Sequence, residues 1–170
     1  MNTIDWPEGY LPGFSDNFAS NEMVITGVSL QALWEKLIDT SAWPLYYSNA
    51  SDIRFHDNGG PRLESGSRFS FTTFGFVVDA EVNEFVAPAY GGAARIAWHG
   101  ACGEGDSRLD VHHAWLLEVL PGGRVRLLTQ ETQNGIPAVG LASTRPDPMI
   151  NGHQAWLDGM IAAARNSCAA

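Results

Sequence analysis

Two short turns constrain this chain more than any other feature, because each fixes the register of a long antiparallel hairpin. Phe74-Gly75 lies between two runs of alternating residues. A two-residue loop there sets Phe71 opposite Val78 and Phe69 opposite Ala80 on one face, and Arg68 opposite Glu81 on the other. The apolar pairs and the opposite-charge pair agree on one register. Pro121-Gly122-Gly123 closes the second hairpin, with Pro suited to the first position of a type I turn and Gly123 to the left-handed conformation. Val119–Val125, Leu117–Leu127, Trp115–Thr129 and His113–Glu131 then share one face. The other face carries Leu116–Leu128, Ala114–Gln130 and His112–Thr132, with Arg124 and Arg126 further along. The arginines mark this second face as the outer one, although Leu116 and Leu128 lie on it too. Arg95, Arg124 and Arg126 are expected to be solubilising charges.

The remaining elements follow from periodicity. Met23–Val28 reads as a strand, and Ser29 as the N-cap of an amphipathic helix over residues 30–39, where Leu30, Leu33, Trp34, Leu37 and Ile38 recur at helical spacing. Thr40-Ser41 breaks that helix, and a short second one begins at Trp43-Pro44. Strands are expected at 52–56, 67–73, 76–85, 94–100, 110–120 and 124–133. Asp147-Pro148 opens the last helix, whose stripe runs Met149, Ile150, His153, Trp156, Leu157, Met160, Ile161 and Ala164. Gly152 and Gly159 interrupt it, and are expected to allow close approach or to free space for a ligand. Residues 1–18 hold Trp6, Tyr10, Phe14 and Phe18 among Gly, Pro, Asp and Asn, which suits an arm lying across the domain better than a linker. Residues 19–168 form one domain.

Composition removes several classes of function. In 170 residues, Lys plus Arg total 10 against 19 Asp plus Glu, a net charge of −9. No basic face is available for phosphate contacts or an anionic membrane, so neither nucleic acid nor membrane insertion is expected. Cys102 and Cys168 are too few for a disulfide framework, and the first residues have neither the basic start nor the apolar run of a signal peptide. A reduced, cytoplasmic chain is the expectation.

The order strand, two helices, six antiparallel strands, long helix resembles the helix-grip fold of the START-like (SRPBCC) superfamily. The motifs that carry the likeness are Leu33-Trp34-Glu35 ahead of Ser41-Ala42-Trp43-Pro44, Gly66-Ser67-Arg68-Phe69, Ala80 to Phe85 before Pro88, Arg95-Ile96-Ala97-Trp98, and His113 to Glu118 before Gly122-Gly123-Arg124-Val125. The match spans about residues 20–165 and is most like the polyketide cyclase/dehydrase branch. It implies an α+β fold in which a curved antiparallel sheet wraps a long C-terminal helix, with two short helices after the first strand. It also implies a cavity between sheet and helix for a small hydrophobic, ring-containing ligand, and no cofactor. The superfamily shares no catalytic residue to carry over. The 1–18 arm and the 132–147 connection depart from the minimal pattern and are placed to cover the cavity mouth.

Inward positions on the sheet are Phe69, Phe71, Trp98, His113, Trp115, Thr129 and Glu131, and the helices add Trp43, Tyr46, His153, Trp156 and Met160. The aromatics serve equally as core or as pocket lining. His113 and Glu131 form the sharpest pair. A carboxylate beside an imidazole fixes its tautomer and raises its basicity, the arrangement of a general base; it also suits ligand anchoring, or simple mutual satisfaction of two buried polar groups. His99, His112, His113 and His153 raise the question of metal. Adjacent strand residues face opposite ways, so His112 and His113 do not share an ion, and no HExxH or CxxC spacing occurs; no metal is expected. Three functions stay open: a binder of a small hydrophobic ligand, a cyclase or dehydratase using His113 and Glu131 as acid and base, and an interaction module like the Hsp90-ATPase-activator relatives of this fold. A homodimer is left open as well.

Overall fold

The computed structural model describes residues 2–89 and 92–168, and the Cys168 side chain lies outside it, so its pairing with Cys102 does too. Strand β1 (Asn17–Thr26) leads into helix α1 (Leu30–Ile38), a 3-10 turn and the short helix α2 (Trp43–Tyr46). Strands β2 (Ser51–Phe55), β3 (Arg68–Thr73), β4 (Phe76–Val86), β5 (Ala93–Cys102), β6 (Leu109–Leu120) and β7 (Arg124–Asn134) follow. Helix α3 (Ile136–Ser143) and the 21-residue helix α4 (Pro148–Cys168) complete the chain. The sheet has seven antiparallel strands in the order β1-β7-β6-β5-β4-β3-β2, and α4 with α1 and α2 fills its concave side. This is the α+β helix-grip architecture.

Local chemistry sets the boundaries. Ser29 Oγ accepts from Ala32 N at 3.1 Å to start α1, and Asp147 Oδ1 accepts from Met149 N at 2.9 Å and Ile150 N at 3.1 Å to start α4. Both hairpin registers are those fixed by the turns: Phe71 faces Val78 and Arg68 faces Glu81, while His113 faces Glu131 and Trp115 faces Thr129. Phe74 and Gly75 both adopt positive φ, 49° and 80°, the type I′ geometry that matches strand twist.

Three expectations change. β1 begins at Asn17, two residues inside the expected arm and six before Met23. Its inward positions Asn17, Ala19 and Asn21 are polar or small while Phe18 points outward, so no apolar alternation announces it. The 132–147 connection is largely the end of β7 and the whole of α3. Arg95 and Arg126 are not solubilising charges. Arg126, 7% exposed, meets Glu22 at 2.9 Å and Glu118 at 3.3 Å and donates to Asn2 O at 2.8 Å; Arg95 meets Asp5 at 3.2 Å and donates to Thr3 O at 2.7 Å.

Those two guanidiniums pin the arm across the convex face. There Ile4 and Trp6 cover Leu116, Leu128, Ala97 and Ala114, a second core that accounts for leucines on the arginine side. Trp6 meets the His112 ring edge-on at 5.6 Å, and Tyr10 stacks on His99 at 4.6 Å. Burial lowers the pKa of both imidazoles, that of His112 to about 4.

On the concave side, Tyr46 and Tyr47 lie beneath α4. Tyr46 donates its hydroxyl to Lys36 O at 2.9 Å, and Tyr47 stacks on Trp156 at 4.5 Å. Burial raises both phenols, Tyr47 to about 12. A phenol raised in the folded state contributes stability that is complete below the unfolded value near 10 and disappears as pH climbs through 12. Thermal midpoints are therefore expected to fall steeply between about pH 10 and 12. Tyrosinate absorbance should show two of the four tyrosines ionising only with unfolding; four independent titrations near 10 in folded protein would contradict this.

Candidate functional site

The inward face of β6 and β7 carries a polar cluster in an otherwise apolar interior. His113, Thr129, Glu131 and Gln133 share that face because they alternate along two paired strands, and His153 meets them from the second turn of α4. All are buried; His113 is 3% exposed, Glu131 6% and His153 1%. Glu131 Oε2 lies 3.1 Å from His113 Nδ1 and 3.4 Å from His153 Nε2. Its other oxygen accepts from Gln133 Nε2 at 2.6 Å, and Gln133 Oε1 in turn accepts from Asn17 Nδ2 at 2.8 Å. His113 Nε2 is 2.7 Å from Thr129 Oγ1.

Burial, and then the adjacent His153 and His112, holds the His113 imidazole well below the ordinary histidine range. The His113–Glu131 contact is accordingly a hydrogen bond from a neutral ring. With Nδ1–H donating to Glu131, Nε2 accepts from the Thr129 hydroxyl, so both nitrogens of His113 are engaged. Of the two histidines in this cluster, the ring nitrogen left without a partner is His153 Nδ1. The imidazole of this cluster with a ring nitrogen open to a further hydrogen bond is therefore His153 rather than His113.

The cluster borders a cavity of about 30 Å³, room for about two water molecules. Of the expected site residues, His113, Glu131, His153, Phe71, Trp98 and Trp156 line it. Trp43, Tyr46, Phe69, Trp115, Thr129 and Met160 do not. Trp43, Phe69, Trp115 and Met160 are fully buried, and Trp43 lies within 5.1–6.0 Å of Trp156, Phe71, Trp98 and Phe69, ring centre to ring centre. These rings occupy the volume expected for a ring-containing ligand. Thr129 acts through His113, and Tyr46 lies under Gly159, away from the cavity.

Several lining residues escaped sequence reasoning: Thr73, Phe74, Phe76, Val78, Leu109, Val111, Gln133, Leu141 and Met149. Gln133 was within reach, since it follows Thr129 and Glu131 in alternation. Thr73, Phe74, Phe76 and Leu141 are half-buried, which puts the mouth between the β3–β4 turn and α3. The Phe74 ring rests against Gly152, where an added Cβ would come within 2.3 Å of it. Ile4 and Trp6 of the arm lie on the convex face, whereas its last residues reach the cavity side, Asn17 Nδ2 donating to the lining residue Gln133 and Asp16 Oδ2 accepting from Gly135 N at the start of α3.

No family model matches the chain, and no curated protein matches it. Among solved structures, hypothetical protein jhp0584 from Helicobacter pylori superposes with a TM-score of 0.93 at 46% identity, over 97% of this chain and 98% of that one. Ara h 8.0201 superposes with a TM-score of 0.54 at 15% identity, over 89% of this chain and 97% of its own. A START superfamily protein from Mycobacterium smegmatis gives 0.52 at 10% identity, over 88% and 95%. The last two are likenesses of fold.

Proposed function

The chain belongs to the family of the Helicobacter pylori protein and has the START-like (SRPBCC) fold, and from that premise we propose that it binds a small hydrophobic molecule between the sheet and α4. The observation that carries this reading is the pairing of an apolar cavity with one buried polar cluster: an apolar wall supplies affinity, and a few fixed polar groups orient the guest. His153 Nδ1, Trp156 Nε1 and Thr73 Oγ1, buried polar atoms of lining residues without a partner, are available to a polar atom of that guest. Because Trp43, Phe69 and Trp115 fill the deep interior, the guest is small, or enters by displacing Phe74 at the mouth. Among the described residues no helix is long and apolar enough to cross a membrane, and cytoplasmic binding of such a guest is part of the proposal.

Anilinonaphthalene sulfonate serves as the probe. One molecule, too large for the closed cavity, is expected to bind per chain by displacing Phe74, with energy transfer from Trp98 and Trp156, and Gly152→Ala, which dislodges Phe74, should alter its affinity several-fold. Native mass spectrometry of freshly purified protein should reveal a retained small molecule lost on denaturation. Absence of both a bound mass and one-to-one dye binding would sink the reading. A cyclase or dehydratase would use the same cluster, with His153 exchanging the proton and Glu131 holding both imidazoles.

A further inference from the structure

Two imidazoles and a carboxylate converge here from three elements, β6, β7 and α4, and one ligating atom from each lies within 4.8 Å of the others. We propose that His113, Glu131 and His153 form a three-residue site for a divalent transition ion of the zinc or ferrous class.

Geometry carries the argument first. Ligands about 2.0–2.1 Å from a tetrahedral ion stand roughly 3.3 Å from each other. Glu131 Oε2 is 3.1 Å from His113 Nδ1 and 3.4 Å from His153 Nε2, so two edges of such a site are already at length. Two imidazoles and one carboxylate are a donor set that suits zinc and ferrous iron and is poorly suited to calcium or magnesium.

The supporting groups fit as well. Ligating imidazoles pass their second N–H to an acceptor, and ligating carboxylates are themselves hydrogen-bonded. Thr129 Oγ1 stands 2.7 Å from His113 Nε2, and Gln133 holds the Glu131 oxygen that faces away from the histidines. On ion binding, the His113 proton moves from Nδ1 to Nε2, and the Thr129 hydroxyl turns from donor to acceptor. His153 makes the matching shift from Nε2 to Nδ1, a buried nitrogen with no acceptor among the described residues. No proton is lost from either ring.

Charge and space complete the case. No lysine or arginine is paired with Glu131 among the described residues; its partners are His113, His153 and Gln133. The adjacent cavity, with room for about two waters, leaves an open coordination position next to an apolar wall.

This assignment is independent of the organic ligand, and its test uses none. Full-length protein stripped with a chelator is titrated with zinc, and separately with cobalt for its visible absorption. One ion per chain is expected, with affinity falling at least about 100-fold in the isosteric Glu131→Gln and about 10-fold in Thr129→Val. Circular dichroism of each variant separates loss of ion from loss of fold. His112→Ala, which removes an imidazole of the convex face, should leave the stoichiometry and affinity unchanged. Anaerobic competition with ferrous ion then distinguishes the two metals, and either one bound once per chain and lost in Glu131→Gln supports the site. The proposal is overturned if no ion is retained, if folded Glu131→Gln binds as tightly as the parent, or if His112→Ala abolishes uptake. Dye binding by metal-free protein would survive that failure, so the two readings fail separately.

Discussion

Replacement of Trp43 by alanine is expected to lower stability by about 3–5 kcal/mol, the upper range for removing a buried aromatic. Trp43 is fully buried and packs edge-on against Trp156 and Phe71. Its indole N–H donates to Leu37 O at 2.9 Å, the acceptor at the end of α1. Alanine leaves a cavity among four rings and strips that carbonyl of its donor. Trp43→Phe keeps most of the ring and loses the hydrogen bond, so it should fall between, at about 1–3 kcal/mol. Chemical denaturation of the three proteins checks the order. The alanine variant should also take up indole or benzene in the vacated space, since a dry aromatic void binds such guests. Equal stability of parent and alanine variant would show that the rings do not depend on their centre.

The second large effect is at Gly159. A Cβ there would stand 1.9 Å from the carbonyl oxygen of Tyr46, so α2 and α4 touch backbone to backbone. Helix propensity alone would make alanine favourable by about 1 kcal/mol. Overpacking against a main-chain atom that cannot rotate away outweighs this, and Gly159→Ala is expected to be destabilising by about 2 kcal/mol, with Gly159→Val worse. Gly152 offers the contrast in the same helix. Its added Cβ would clash only with the tip of the Phe74 ring, which can swing aside, and would stand 3.4 Å from the Tyr47 hydroxyl. Gly152→Ala should therefore be close to neutral in stability while changing access to the cavity. Thermal midpoints for both alanine variants test the pair; if Gly159→Ala stabilises, the close approach is not a constraint.

These contrasts show what the sequence discloses and what it withholds. The hairpin registers were legible because turn chemistry and alternation are local. The turn at Pro121-Gly122-Gly123 by itself sets His113 opposite Glu131. The capping of α1 and α4 was legible for the same reason. The start of β1 was not, because its inward side chains are Asn17, Ala19 and Asn21, chosen to meet Gln133 and the side of α4 rather than to bury carbon. Arg95 and Arg126 are tied down from segments distant in sequence, by Asp5 and Thr3 for the first and by Glu22 and Asn2 for the second, while Glu118 faces Arg126 directly across the β6–β7 hairpin. His153 joined the pair on the sheet through the rotational phase of α4 against β6 and β7. A helical stripe defines a face but not what that face meets. The filling of the interior by Trp43, Phe69 and Trp115 is likewise a matter of volume, which residue type alone leaves undecided between core and pocket.

The position of β1 has a consequence for how the chain acquires its shape. Every strand from β2 to β7 is hydrogen-bonded to its neighbour in sequence, except that β1 is joined only to β7, with Asn17 and Gln133 separated by 116 positions. As the polypeptide leaves the ribosome, the first strand is made early and its partner almost last. The meander of consecutive strands closes short loops and can assemble as it emerges, whereas β1 must wait for the long loop between Thr26 and Arg124 to be closed. The N-terminal segment and its aromatic side chains thus stay unclaimed through most of synthesis, and the convex face they cover is sealed only when the last strand has been delivered.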